Sequence, residues 1–448
     1  MQSSAPSDPQ PSSSALEAGT SKKRKSSEEQ SDSAVAPKAP KIHPFFSKRT
    51  EKKPEGSFQW LKPLGPTGSC LHGINLHPTA SAKVAALDLD GTVIKSEFAT
   101  KSAAAGKPPS WSWWRSIVPD KLKELYESGF AIVFISNQAL KPVALNTWKE
   151  KIPLIGQALS DIPFRILAAS QKDQYRKPMP GMWREIERIF KEEGVEIDKS
   201  ASFFVGDAAG RQYVKAKGDF SSTDRKWAEN IELPFFTPEE YFLKLPPHDN
   251  YTMPGFRASS LPNLPLVTPT SSPIIPTPRQ QEAVLFVGYP CLGKSTFYRR
   301  YFQPEGYVHI NQDTLKTSQK CAKVLQEAIK EGKSCVIDNT NRNSPTRKTY
   351  LDICKANNIK ARCFYFTGSI ELAWHNNLYR AFNMPPSAAA KEPERALLPY
   401  IAFSGFRDNL EEPTLAEGFS EIKKVNWVFE GTEEEKKHWL MWLQIDGK

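Results

Sequence analysis

The chain contains no run approaching the ~18 consecutive apolar residues of a membrane-spanning helix. Its opening residues also lack the apolar core of an export signal. Both absences lead us to expect a soluble, intracellular protein with no membrane contact. Cysteine is scarce: there are six in 448 residues, none in a Cys-x-x-Cys pair or a His-flanked zinc spacing. That argues against a zinc site or a disulfide framework, and for reduced thiols packed as small hydrophobes. Acid falls short of base, with 50 Asp and Glu against 60 Lys and Arg and a formal net charge of +10, a balance that suits a polyanionic partner. Large apolar residues are sparse in 1–55, a stretch of Ser, Pro, Ala, Lys and Glu. Such a composition cannot bury enough surface to offset its ordering entropy, so it predicts a disordered tail. No internal repeat is present.

Beyond the tail, the length suffices for two domains with hydrophobic cores. Residues 56–245 alternate apolar runs at 83–89, 131–136, 165–169 and 202–206 with amphipathic stretches at 119–128, 180–193 and 224–230. This alternation predicts an α/β domain built on a parallel sheet. Residues 246–278 are dense in Pro, Ser, Thr and Asn without periodicity and read as an inter-domain linker. From 279 to 448 the alternation resumes, with strands expected at 283–287, 307–311, 334–338 and 361–366. This is a second parallel-sheet α/β domain. The tail carries Lys22-Lys23-Arg24-Lys25, which reads as a nuclear-import run. It also carries Ile42, Phe45 and Phe46 in the spacing of a sliding-clamp-binding peptide, although Ala39 stands where that peptide has glutamine.

Two phosphate-chemistry motifs stand out. The first, Asp88-x-Asp90-Gly91-Thr92, follows directly on a β-run. Both carboxylates then emerge at the strand's C-terminal end, where parallel sheets place ligands, and alternation puts them on one side. One carboxylate is placed to attack phosphorus, and the other to protonate the leaving oxygen and then activate water. Magnesium would offset the repulsion among them. The motif resembles that of the haloacid-dehalogenase-like phosphatases, and three further segments match that family in order. Ser136, in Ile135-Ser136-Asn137-Gln138, would hydrogen-bond the phosphoryl group. Lys177, in Tyr175-Arg176-Lys177-Pro178, would neutralise phosphate and nucleophile. Asp207, closing Val205-Gly206-Asp207, would bind magnesium. Asp224 is the candidate for a second acid at the metal, against a plain helix-capping role.

The second motif, Gly288-x4-Gly293-Lys294-Ser295-Thr296, lies between an apolar strand and a helix, as a phosphate-binding loop requires. Its backbone N–H groups would cradle the phosphates of ATP. Lys294 would reach the β and γ phosphates, Ser295 would hold magnesium, and Thr296 would assist at the α phosphate. Asp313 closes the next strand as the candidate base for an acceptor hydroxyl, or else as a helix cap. Asp338 either ligates magnesium through water or caps the following helix. Arg380 is the candidate lid cation over the transferring charge, with Arg395 and Arg407 behind it.

Taken together, the chain resembles the polynucleotide kinase/3′-phosphatase family of eukaryotic DNA repair from about residue 60 onwards. The most specific matches are Phe204-Val205-Gly206-Asp207-Ala208-Ala209-Gly210-Arg211, Asp338-Asn339-Thr340-Asn341, His375-Asn376-Asn377 and 412–419. The resemblance implies a haloacid-dehalogenase-like phosphatase followed by a P-loop kinase. It also implies removal of a 3′-phosphate and ATP-dependent phosphorylation of a 5′-hydroxyl at DNA strand breaks, with Mg2+ in both sites, in a nuclear protein that we expect to be monomeric. The short tail is not expected to hold the forkhead-associated domain of vertebrate members, which suggests a fungal-type architecture. Cys291-Leu292 and Gln312 depart from the family's usual small residues and arginine. Lys141, Arg211, Lys215, Lys217, Arg225 and Lys226 are candidates to track backbone phosphates. Trp111, Trp113 and Trp114 pack internally, the favoured reading, or else stack bases. An RNA-end-healing enzyme and a repair scaffold with decayed sites are the competing readings.

Overall fold

In the computed structural model, residues 57–95, 110–390 and 396–445 are described. The import run, the clamp-like peptide and Arg395 lie outside them. Among the described residues, no helix is long and apolar enough to cross a membrane.

The first sheet contains β1 (Phe58–Trp60), β2 (Cys70–Asn75), β3 (Val84–Leu87), β4 (Ala131–Asn137), β5 (Phe164–Ala169), β6 (Phe203–Val205) and β7 (Phe235–Phe236), in the order β1-β2-β5-β4-β3-β6-β7. β3 is Val-Ala-Ala-Leu and β5 Phe-Arg-Ile-Leu-Ala-Ala, and every residue of both is buried. Continuous apolar runs of this kind belong to strands covered on both faces. β3 to β7 are mutually parallel, whereas β1 and β2 are antiparallel additions at one edge. The purely parallel expectation therefore fails at that edge. The loops leaving β3, β4 and β6 converge at one end of the sheet, and these are the loops that carry the phosphatase-like motifs.

The second sheet contains β8 (Val267–Thr268), β9 (Glu282–Val287), β10 (Val308–Ile310), β11 (Cys335–Ile337), β12 (Lys360–Phe366) and β13 (Glu421–Val425), in the order β10-β11-β9-β12-β13-β8. All pairs are parallel except β13 with β8. Phe286, Phe297, Phe302 and Phe364 interlock on one face, and Leu285, Leu325, Ile337 and Leu351 fill the other.

The segment 246–278 is not a free linker. β8 pairs Val267 with Val425 and Thr268 with Lys424, and Ala258 is buried in the kinase-side core. Its carbonyls are held by buried side chains: Lys423 Nζ donates to Ser272 O at 2.7 Å and Arg362 Nη2 to Ile274 O at 2.9 Å. Proline removes backbone donors but not acceptors, so such a segment can still fold onto an edge that supplies donors. The described residues accordingly form one compact unit.

Candidate active sites

At the ends of β3, β4 and β6, Lys177 Nζ lies between two carboxylates. It donates to Asp88 Oδ1 at 2.6 Å, contacts Asp224 Oδ1 at 2.7 Å, and also donates to Ile135 O at 3.1 Å. Its backbone is held reciprocally by Asn137, which accepts from Lys177 N at 2.9 Å and donates to Lys177 O at 3.1 Å. Asp224 lies in the first turn of the helix Thr223–Ile231 but is not its cap, which is Ser222. Its other oxygen accepts from Ala208 N at 3.0 Å. Carboxylate oxygens of Asp88, Asp207 and Asp224 lie within 4.8 Å of one another. Burial raises the Asp88 carboxyl well above its usual range, with Lys177 opposing and Asp224 adding to the shift. Burial, then Asp88 and Asp224, raise Asp207 in the same direction. Burial opposes the charge on Lys177, but Asp224 and Asp88 outweigh it and hold the ammonium protonated. Three crowded carboxylates with one lysine among them fit a divalent cation, because a cation offsets the repulsion that raises these carboxyls.

Two glycines make this crowding possible. A Cβ on Gly206 would lie 2.5 Å from Asp224 Oδ2. A Cβ on Gly91 would lie 2.2 Å from Asp207 Oδ2, and Gly91 has φ +103°, a conformation that side chains rarely adopt. Gly91→Ala is therefore expected to displace Asp207 and slow phosphate release by about 100-fold, while kinase turnover measured on the same preparation stays unchanged.

Asp90 is held by Ser136 and by two groups, Gln138 and Trp148, that had no role assigned from sequence. Its Oδ2 accepts from Gln138 Nε2 at 2.5 Å, Trp148 Nε1 at 3.3 Å and, weakly, Ser136 Oγ at 3.4 Å. Burial raises the Asp90 carboxyl, with Lys151, Trp148, Gln138 and Ser136 opposing. Trp148 and Lys151 come from the helix Pro142–Ala158, which contains Pro153 and shows too little amphipathic pattern to be read from sequence. Trp148→Phe keeps the ring and removes the N–H. Loss of one hydrogen bond to a carboxyl is expected to lower phosphatase kcat by about tenfold, read by steady-state phosphate release.

The basic residues around this site divide. Arg211 does not reach outward: it is buried and paired with Asp219 at 2.9 Å and Glu239 at 2.6 Å. Lys226 is buried, donates to Pro254 O and lies over the Trp442 ring. Arg225 Nε donates to Ala209 O, and its guanidinium lies 3.8 Å from the centroid of the Tyr251 ring. Lys141, Lys215 and Lys217 remain exposed. Trp114 is buried against Phe242, and Trp111 and Trp113 meet edge to face at 4.8 Å beside the same core, so packing accounts for all three.

In the second sheet, Gly288, Gly293 and Lys294 link β9 to the short helix Lys294–Phe297, beside a cavity of about 1110 Å³ lined by Lys294, Ser295, Asp313, Asp338, Asn376 and Arg380 among others. Lys294 is buried, and its Nζ donates to Gly288 O at 3.0 Å and Tyr289 O at 2.5 Å. Burial pushes its ammonium down to about 8, against Asp338. Ser295 Oγ donates to Asp338 Oδ2 at 2.6 Å. Thr296 is exposed and its hydroxyl accepts from Arg299. Neither acid is a helix cap. Asn311 caps the helix bearing Asp313, and Asn343 caps the helix after Asp338. Arg407 pairs with its neighbour Asp408 in an exposed position. His309 is an addition to the site: its Nε2 lies 2.9 Å from Asp338 Oδ2, and its ring stacks on Tyr298 at 4.0 Å and 10°. His309→Ala is expected to lower kinase kcat by about tenfold and His309→Gln to restore most of it, because the Gln amide can still reach the carboxylate.

Residues 83–242 match the family described as "Polynucleotide kinase 3 phosphatase" and residues 284–398 the one described as "AAA domain". The chain is 38% identical over 369 residues to the "Bifunctional polynucleotide phosphatase/kinase" of Schizosaccharomyces pombe, covering 81% of this chain and 83% of that one. It is 34% identical over 384 residues to the "Putative bifunctional polynucleotide phosphatase/kinase" of Acanthamoeba polyphaga mimivirus, covering 78% and 85%. "Polynucleotide 3'-phosphatase ZDP" of Arabidopsis thaliana matches a shorter stretch, 34% identical over 183 residues, 36% of this chain and 24% of that one. With a haloacid-dehalogenase-like phosphatase site on one sheet and a P-loop kinase site on the other, the chain belongs to the bifunctional polynucleotide phosphatase/kinase family.

Proposed function

We propose that the chain heals DNA strand breaks, removing a 3′-phosphate at the first site and phosphorylating a 5′-hydroxyl with ATP at the second. The observation that carries this reading is the presence of two phosphate-handling clusters on separate sheets of one chain, each with its own lysine and acids.

At the first site, an oxygen of Asp88 attacks phosphorus and the bond to the 3′ oxygen breaks. Asp90, whose carboxyl burial shifts upward, gives its proton to that oxygen. It then takes a proton from water, whose oxygen attacks the aspartyl-phosphate and frees inorganic phosphate. Lys177 holds Asp88 in place and neutralises phosphoryl charge, while Ser136 borders the phosphoryl position. Asp88, Asp207 and Asp224, whose carboxylate oxygens cluster, would hold Mg2+, which supplies charge neutralisation; Asp90, held by Gln138 and Trp148, stands outside that cluster as the acid and base.

At the second site, the loop 288–296 receives the triphosphate, with Ser295 and Asp338 as the side chains to hold Mg2+. Asp313 takes the proton of the 5′-hydroxyl, whose oxygen attacks the γ-phosphorus as the bond to ADP breaks. Lys294 and Arg380 stabilise the charge that develops. Chelation by EDTA is expected to abolish both activities and added Mg2+ to restore both. Activity that survives chelation at either site would contradict the metal assignment there.

DNA is preferred over RNA on the family resemblance together with the import-like run Lys22–Lys25, which also supports a nuclear location. Competition between matched DNA and RNA ends tests the substrate. Strong preference for RNA ends would overturn it.

A further inference from the structure

Residues 439–445, close to the chain's C-terminus, touch the working parts of both sites. Trp439, Trp442, Leu443 and Ile445 are all buried. Toward the phosphatase sheet, Asn230 spends its entire side-chain amide on this segment and on the Lys177 loop. Its Nδ2 donates to Pro178 O and to Trp442 O, each at 2.7 Å, and its Oδ1 accepts from Trp442 N at 2.8 Å. Arg176 Nε donates to Ile445 O at 2.9 Å. Trp227 Nε1 holds the next carbonyl, Met179 O, at 3.1 Å, and Met179 is buried in the kinase-side core. The residues on both sides of Lys177 are thus anchored to 439–445, and Asn230 shares its helix with Asp224.

Toward the kinase site the same segment reaches the P-loop. Trp439 Nε1 donates to Asn376 Oδ1 at 2.8 Å, and Asn376 Nδ2 donates to Cys291 O at 3.0 Å. His375 Nε2 lies 2.7 Å from Trp439 O, and the Trp439 ring stacks on Trp427, which lines the P-loop cavity.

We propose that residues 439–445 are a shared brace: through Asn230 and Arg176 they position Lys177 for phosphate removal, and through Trp439 and Asn376 they position the P-loop for ATP. A mis-set Lys177 loses its contacts with Asp88 and Asp224, which are set by backbone anchors rather than by the lysine's flexible stem. The inference rests on the phosphatase role given to Lys177. Asn230, Arg176 and Trp439 are positioning residues, since none touches the reacting atoms.

The test uses the full chain with Asn230→Leu, Trp439→Phe and a control at the same contact, Glu229→Gln, whose parent carboxylate accepts from Trp442 Nε1 at 2.7 Å without reaching the Lys177 loop. Asn230→Leu is expected to lower kcat for 3′-phosphate release about tenfold and leave 5′-kinase turnover within about twofold. Trp439→Phe keeps the stacked ring and is expected to raise the KM for ATP about fivefold with phosphatase kcat within about twofold. Glu229→Gln is expected to leave both activities within about twofold, whatever it does to the melting temperature. A merely structural contact would instead make Asn230→Leu and Glu229→Gln behave alike, or make each variant depress both activities together, and either result overturns the brace. If Asn230→Leu does not fold, Arg176→Ala takes its place, with a selective loss of phosphatase kcat of about threefold expected and an unchanged kcat overturning the inference. Absence of 3′-phosphatase activity in the unaltered chain would instead overturn the role given to Lys177. That outcome is distinguishable, because the brace is judged only against an active parent.

Discussion

Replacing Asp88 with Asn is expected to stop release of 3′-phosphate and to leave the kinase intact. The amide has the shape of the carboxylate but no nucleophilic oxygen, so the aspartyl-phosphate cannot form. Removal of a nucleophile of this kind costs upwards of about 10⁴-fold in kcat. The fold should tolerate the change. Lys177 keeps its 2.7 Å contact with Asp224, and one of three crowded carboxylates is gone. In chelator, Asp88→Asn is expected to melt no lower than the parent, since burial and like charge already disfavour ionised Asp88. Phosphate release from a 3′-phosphorylated oligonucleotide and γ-phosphate transfer to a 5′-hydroxyl oligonucleotide, measured on one preparation, check both halves.

Lys294→Ala is expected to produce the reverse pattern. Lys294 is the buried cation at the P-loop, held by Gly288 O and Tyr289 O, and burial lowers its ammonium to about 8. The negative charge of a bound triphosphate raises it again, so the lysine is charged when ATP is in place. Its loss removes the main positive side chain from the β and γ phosphates and is expected to cost about 10³-fold in kinase kcat/KM. Phosphatase turnover should not change, since Lys294 makes no contact with the first sheet's cluster. Loss of both activities from either substitution in a folded protein would contradict two independent sites.

What could be read from the sequence was local. Asp88 and Asp90 lie at the end of one apolar run, Lys294 and Ser295 at the end of another, and short-range spacing carries their chemistry. Lys177 and Asp207 were legible because each sits in a short motif. Trp148 was not, because Pro142 and Pro153 obscure the pattern of its helix. His309 gains meaning only when strand pairing brings β10 beside β11 and Asp338. Arg211 looked like an outward cation because its partner Asp219 lies 8 residues on and its partner Glu239 lies 28 residues on, beyond the reach of any local pattern. Residues 246–278 looked like a spacer because composition reports missing backbone donors, whereas Lys423 and Arg362, which supply donors, come from other strands. Trp442 and Asn230 are 212 residues apart, so their contact is a property of the assembled fold.

The central claim is that one chain makes a dirty break ligatable. Its most direct test is a DNA duplex with a nick bearing a 3′-phosphate and a 5′-hydroxyl, incubated with the protein, Mg2+ and γ-labelled ATP and then with a DNA ligase. The account predicts release of inorganic phosphate from the 3′ side, label at the 5′ side and a sealed strand, with sealing lost in Asp88→Asn and in Lys294→Ala but restored when the two variants are mixed. A nick that stays unsealed with the folded parent protein, or sealing that survives either substitution, would contradict it.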